Sequence, residues 1–337
     1  MTAAVAQTGT GISRYPFTDL PREQYDFKVT PATYNMPKGL NQSLAQKRFA
    51  MLCLYQLGAT VPRVRHRRAV TSLALAAIVA CTLTAHDAFA TVLFRDGFES
   101  GNLTHTASGI VWGSSAHTRV NSANPRTGSY SLQFNYRAVP PGRDDWSEQR
   151  IQFHHPYTDL WFRYDLYIPG NYYHRIQPSS PSNNKFFAIY RDPYRIPGFQ
   201  VNFSTEPNGS GGSDLEVHYY YNGTEQKPIS PASAENFITS ADLGHWHTIV
   251  IHVKVPSGND TYDGVMQLWK DGTQFVNITN LDSWGGMDKN YINAAYFLGW
   301  SNSGYTQKTD FYIDNVIISD SPISPDSSPT SDATTAR

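Results

Sequence analysis

Side chains able to hold an anion and to move protons fall on alternate positions of several short segments. In Ser147–His155, SEQRIQFHH, an extended chain turns successive side chains to opposite faces. Glu148, Arg150, Gln152 and His154 therefore share one face, and Ile151 and Phe153 share the other. The segment DLEVHYYY places Glu216, His218 and Tyr220 on one parity and Tyr219 and Tyr221 on the other. KFFAIYRD adds Lys185 and Arg191, and FQVNFS adds Gln200 and Asn202. Guanidinium and amide groups can neutralise an anion whose charge builds during a reaction. Imidazole and phenol groups are the usual movers of protons. Each face also has an ordinary counterpart, a solvated strand face whose ion pairs contribute little. The chemistry requires these strands to be neighbours in one sheet.

The surrounding sequence supplies strands and little else. The chain has 337 residues and a formal charge of -1, with charged residues at 16 % and Tyr, Phe and Trp at 13 %. The charge balance argues against a nucleic-acid partner held by bulk electrostatics. Between Thr91 and Ser319, runs rich in β-branched and aromatic residues follow one another: SYSLQFNYR, LWFRYDLYI, HTIVIHVKV, GVMQLWKDG and DFYIDNVIIS are examples. Turn clusters such as PPGRDD, PSSPSNN and EPNGSGGSD separate them. One short helix is expected in SPASAENFI, Ser230–Ile238. Many strands without intervening helices predict an all-β sandwich or jelly roll of two antiparallel sheets, with no repeat that would build a propeller or solenoid. Trp161, Trp246 and Trp269 alternate with polar residues and are expected in its core, whereas Trp284 and Trp300 lie among Gly and Ser and could offer a ring face to a sugar.

The flanks read differently. RVRHRR, Arg63–Arg68, precedes the small, apolar run Ala69–Ala85 and the AFA of Ala88–Ala90, the three parts of a bacterial secretory signal. The run is too short and too rich in Ala and Thr for a membrane span. A secreted or periplasmic protein is expected, cut after Ala90; the alternative is a lipoprotein anchored through Cys81 in IVAC. Residues 1–62 precede the signal, without periodicity, and read as an over-extended start or an unstructured extension. Residues 320–337 form a Ser/Pro/Thr-rich tail expected to be disordered. Both cysteines, Cys53 and Cys81, precede the cut, so residues 91–319 contain neither a disulfide nor a thiolate site.

Two resemblances sharpen the reading. The paired ends LFRDGFESGNL and FYIDNVIIS resemble those of the concanavalin A-like lectin and glucanase superfamily. That resemblance implies first and last strands lying side by side, and a structural calcium nearby with Asp96, Glu99 and Asp314 as oxygen donors. WSEQR, Trp146–Arg150, resembles the Arg-Ser-Glu-Leu-Arg strand of alginate-lyase-type jelly-roll polysaccharide lyases through Ser147, Glu148 and Arg150; Trp146 and Gln149 depart from it. YFLGW, Tyr296–Trp300, resembles that family's Tyr-Phe-Lys-Ala-Gly strand through Tyr296, Phe297 and Gly299, with the Lys missing and Ser301 where a later tyrosine is expected. The family's Gln-Ile-His strand has no copy at its middle position, where NKFF stands.

The lyase resemblance implies cleavage of an acidic, uronic-acid polysaccharide by β-elimination. Arg150, Gln152 and Asn202 would hold the carboxylate, and His154 or His218 with Tyr220 would move the protons. Glu148, Lys185, Gln200 and Trp300 would contact the sugar chain. No organic cofactor is implied, and a monomer is expected. The alternative is a non-catalytic carbohydrate-binding or adhesion module on the same fold. The glucanase mechanism is excluded, because Asp214 and Glu216 lack the third acid of a Glu-x-Asp-x-x-Glu strand.

Overall fold

The computed structural model describes residues 91–325 except 179–180, 195–197, 222–224 and 287–289. The extension, the secretory signal, Cys81 and most of the tail lie outside the described residues. The described residues all belong to the second of the two units into which the chain divides, 85–337. Among them no helix is long and apolar enough to cross a membrane.

Among the described residues, sixteen strands form two antiparallel sheets. The first sheet contains β1 (Val92–Asp96), β4 (Thr118–Asn121), β5 (Ser131–Tyr136), β7 (Asp159–Ile168), β12 (His245–Lys254), β13 (Gly264–Lys270), β14 (Thr273–Leu281) and β16 (Thr309–Ser319). Their order is β14-β13-β12-β7-β16-β5-β4, with β1 also paired to β16, so the first and last strands are neighbours. The second sheet contains β2 (Thr106–Ala107), β3 (Ile110–Ala116), β6 (Asp145–Tyr157), β8 (Asn184–Tyr190), β9 (Gln200–Pro207), β10 (Ser213–Tyr221), β11 (Glu225–Ile229) and β15 (Ile292–Ser301). Its order is β11-β10-β9-β8-β15-β6-β3-β2. The helix expected at 230–238 shrinks to a 3-10 turn, Ala232–Ala234.

Alternation on each strand decides which face is dry. Phe162, Tyr164 and Leu166 from the first sheet meet Phe187, Phe203 and Phe297 from the second in one continuous core. Phe162 packs on Phe187 at 5.0 Å between ring centroids, and Tyr164 packs edge-on against Phe297 at 5.1 Å. This is the jelly-roll sandwich that the strand periodicity predicts. Trp161, Trp246 and Trp269 are not in that core. They are half-buried on the outer face of the first sheet, where Trp161 stacks on His252 at 4.0 Å and on Trp269 at 5.8 Å.

The core also fixes the site backbone. The Tyr136 hydroxyl on β5 donates across the sandwich toward Ser147 O at 3.0 Å and Gly299 O at 2.8 Å, and accepts from Gly299 N at 3.2 Å. Burial pushes this phenol far above its ordinary pKa. Gly299 has φ +132°, and a Cβ there would meet the Tyr296 ring at 3.1 Å and Lys185 Cβ at 3.3 Å. Glycine therefore lets β15 bulge against β8 without crowding the outer face.

Candidate active site

The outer face of the second sheet gathers most of the residues that the sequence singles out. Across five of its strands the register brings Arg150 of β6 opposite Tyr296 of β15, Tyr296 opposite Ala188 of β8, Ala188 opposite Asn202 of β9, and Asn202 opposite His218 of β10. Directly paired side chains of one face have Cβ atoms about 5 Å apart. The methyl group of Ala188 leaves space above it, and the Tyr296 hydroxyl lies over β8 at 3.5 Å from Asn202 Oδ1. Ala188, Tyr190, Ala294 and Tyr296 form a small buried cluster of their own, with Tyr194 packed on it.

Tyr194 comes from the loop after β8. Its hydroxyl donates to Asn202 Oδ1 at 2.9 Å and lies 3.3 Å from the Tyr296 hydroxyl. Its ring packs edge-on against Tyr190 at 4.9 Å. Burial raises the pKa of all three phenols: Tyr190 to about 12, and Tyr194 and Tyr296 further. They stay protonated through the neutral range and can donate, not accept, a proton. Asn202 is fully buried, and while its Oδ1 is used its Nδ2 has no partner.

At one end of the row, Glu148 accepts from Arg150 Nε at 2.6 Å and from Trp146 Nε1 at 3.2 Å. Burial works against the Arg150 charge, but the bond and charge of Glu148 prevail and raise its pKa. Bonding through Nε orients the guanidinium and keeps it charged. A glycine in β3 gives it room: a Cβ at Gly113 would meet Arg150 Cβ at 3.3 Å and Gln152 Cγ at 3.4 Å.

At the other end, His218 Nε2 lies 2.9 Å from Glu216 Oε2, two residues along β10. Glu216 also accepts from Ser230 Oγ at 3.2 Å and bonds carboxyl to carboxyl with Glu206 of β9. Burial and the Glu216 charge push Glu206 up, so the pair shares a proton; Glu216 is held down against burial by His218. Burial lowers the Lys185 ammonium, which lies beside both carboxylates.

The remaining expected residues are spread along the same face. Gln152 faces Ala294, and Gln200 faces Tyr190, one step from the central row. Tyr220 follows His218 by two residues on β10. Trp300 is 43 % exposed and packs on Trp146 at 5.3 Å, with Nε1 donating to Asp144 at 2.8 Å, so an aromatic platform stands at one end. His154 is exposed on the correct face, but four residues along β6 from Arg150, about 13 Å at strand rise. The structure does not bring it to the row.

Asp96, Glu99 and Asp314, the expected calcium donors, each accept hydrogen bonds from nearby N–H groups. Asp96 accepts from Phe98 N and Trp112 Nε1, each at 2.7 Å. Glu99 accepts from Ser129 N at 3.0 Å and Tyr130 N at 3.2 Å. Asp314 accepts from the backbone N–H groups of Arg126, Thr127 and Asn315 at 2.7–3.1 Å. Among the described residues, the acidic and imidazole groups close enough to share an ion are Glu206, Glu216 and His218.

Sequence reasoning missed Tyr194 and Tyr190. Tyr190 belongs to a legible strand, where its parity with Ala188 could have flagged it. Tyr194 stands in a loop, RDPYRIP, where no periodicity operates.

The polysaccharide lyase family model matches residues 98–316. The chain belongs to the polysaccharide lyase family. Every residue of the central row lies within that match. Among solved structures, alginate lyase vAL-1 from Chlorella virus is similar with TM-score 0.50 and 10 % identity, over 68 % of this chain and 99 % of that one. Alginate lyase Aly36B is similar with TM-score 0.44 and 12 % identity, over 59 % of this chain and 86 % of that one. The botulinum neurotoxin type G receptor-binding domain is similar with TM-score 0.42 and 12 % identity, over 70 % of this chain and 50 % of that one. At these identities the likeness is one of fold. No curated protein matches the chain.

Proposed function

We propose that this polysaccharide lyase cuts a uronic-acid glycan by β-elimination on the outer face of the second sheet. The observation that carries the reading is the convergence of the Tyr194 and Tyr296 hydroxyls on Asn202, with His218 directly across the strand pair. Arg150 and the unpartnered Asn202 Nδ2 hold the substrate carboxylate and stabilise the charge that builds on it. His218, with Nε2 2.9 Å from Glu216 Oε2, presents Nδ1 as the base that takes the C5 proton. The electron pair forms the C4–C5 double bond, the C4–O bond breaks, and the departing oxygen takes the Tyr194 proton. Tyr296, more deeply buried, positions Tyr194 and Asn202.

A polymeric substrate is met outside the cell, which fits the secretory signal read in Arg63–Ala90. The test is incubation of the full chain with alginate, glucuronan, heparin-type and pectic polymers while following ultraviolet absorption of the unsaturated product. Absorption with one acidic polymer supports the reading. Silence on all four, with retention on a glycan column, supports a binding module instead.

A further inference from the structure

We propose that Glu206, Glu216 and His218 form a binding site for a divalent transition-metal ion of the zinc type. One ligand atom from each residue can be chosen so that all lie within 4.8 Å of one another. The three come from two adjacent strands, β9 and β10, whose continuous register holds them on one face. The site is half-buried and therefore open to an ion from solvent.

A second observation points to a ligand here. Ser204 is fully buried, and its Oγ has no hydrogen-bond partner. It lies between Asn202 and Glu206 along β9, faces Glu216 on β10, and faces Lys185 on β8. A buried hydroxyl without a partner costs about 1–3 kcal/mol. Ser204 alternates with the core residues Val201 and Phe203, so its oxygen is on the same face as the cluster. It can complete the ligand set or bond to a metal-bound water.

The donor chemistry selects the ion class. Calcium takes six to eight oxygens and does not seek an imidazole. One nitrogen and two carboxylates suit zinc, cobalt or manganese, with a fourth position open. Lys185 is the competing cation: its ammonium is the positive charge beside these carboxylates now, and a metal ion must outbid it.

The ion would also act on the chemistry, a consequence that rests on the lyase reading. Coordination through Nε2 leaves the remaining imidazole proton on Nδ1. The ring then donates where the elimination needs it to accept, and bound metal silences the base.

The experiment is calorimetric titration of the full chain with Zn2+, without glycan, beside Co2+ absorption spectra of the same protein. One ion per chain, with a Co2+ spectrum that Zn2+ abolishes, supports the site. Glu206→Gln and Glu216→Gln should each weaken binding at least tenfold and His218→Gln more, with far-ultraviolet circular dichroism unchanged. A double variant of the exterior imidazoles, His155→Asn with His245→Asn, should bind as the parent does. Absence of a Co2+ spectrum in the parent, or loss of binding in the double variant alone, overturns the proposal whether or not any acid-site variant folds. Binding is read without substrate, so its failure leaves the lyase reading standing, and absence of lyase activity leaves the metal site standing.

Discussion

Replacing Tyr194 with Phe separates chemistry from packing. The ring contacts survive the change: Tyr190 at 4.9 Å and Tyr296 at 5.7 Å hold a phenyl as well as a phenol. The structural losses are the 2.9 Å bond to Asn202 Oδ1 and the longer 3.3 Å contact with the Tyr296 hydroxyl. One such bond contributes about 1 kcal/mol, and in a domain of this size that lowers Tm by about 2–4 °C. If Tyr194 supplies the leaving-group proton, kcat falls by about 10²–10⁴, because a positioned general acid contributes that much. This is about 3–5 kcal/mol of barrier, well above the stability loss. KM should hardly move. Tyr296→Phe is the comparison, since its buried hydroxyl touches Tyr194 at 3.3 Å and Asn202 at 3.5 Å but is roofed from solvent. It should cost about tenfold, and the double variant should be no worse than Tyr194→Phe alone, because residues acting as one unit are not additive. The assay is initial-rate kinetics on the polymer that reacts best, with thermal melts of each variant. A Tyr194→Phe enzyme within about threefold of the parent kcat would refute the assignment of the acid.

Three further outcomes follow from contacts elsewhere. Burial lowers His174 to about 4 and raises Asp314 to about 6; unfolded His174 takes its proton below about 6.5, so its contribution is lost as pH falls toward 4, whereas Asp314 charges as pH rises from about 4 to 6 and loses stability in that direction. Each amounts to about 3 kcal/mol by linkage, so in urea melts between pH 4 and 6 His174→Gln should lose stability relative to the parent with rising pH, and Asp314→Asn relative to the parent with falling pH. Trp300→Ala removes the exposed ring on Trp146 and should raise KM about two- to tenfold with kcat nearly unchanged, as the loss of about 0.5–1.5 kcal/mol of stacking requires; this is read from saturation curves. Tyr136→Phe strips the hydroxyl that reaches Ser147 O and Gly299 O, and equilibrium unfolding should show a loss of about 1–3 kcal/mol.

Period-two alternation made the faces legible and little more. It placed Arg150 and Gln152 opposite Ile151 and Phe153, and His218 opposite Val217 and Tyr219, as the structure does. It could not say which strands touch. The functional row runs β6, β15, β8, β9, β10, and its second strand comes last in the sequence because a jelly roll threads non-consecutive strands side by side. His154 shows the limit from the other side: parity gave it the right face, but parity carries no distance, and four residues of strand rise separate it from Arg150. Tyr194 had no signal, since a loop residue is placed by the sheet it lands on. The carboxylates Asp96, Glu99 and Asp314 have the composition of a cation site, and in the structure they accept from backbone N–H groups and, at Asp96, from the Trp112 indole.

Two unmet hydrogen-bonding groups lie beside the central row of the second sheet. On the outer face of the first sheet, Asp165 accepts from Thr248 Oγ1 and Asn315 Nδ2 at 2.8 Å each, and His252 bonds Gln267 and Asp159. The second sheet buries Asn202 and Ser204 on its outer face and leaves Nδ2 of one and Oγ of the other without a partner. Stability alone would place apolar residues there, or polar ones that satisfy each other, because each orphan costs about 1–3 kcal/mol. Both orphans flank His218 and Glu216 across a single strand pair. A ligand that satisfies the amide is an anion such as a uronate carboxylate, and one that satisfies the hydroxyl beside two carboxylates is a cation or its bound water. On the two proposals above, the face would take occupants of opposite charge on adjacent rows, with His218 as a side chain that both would touch.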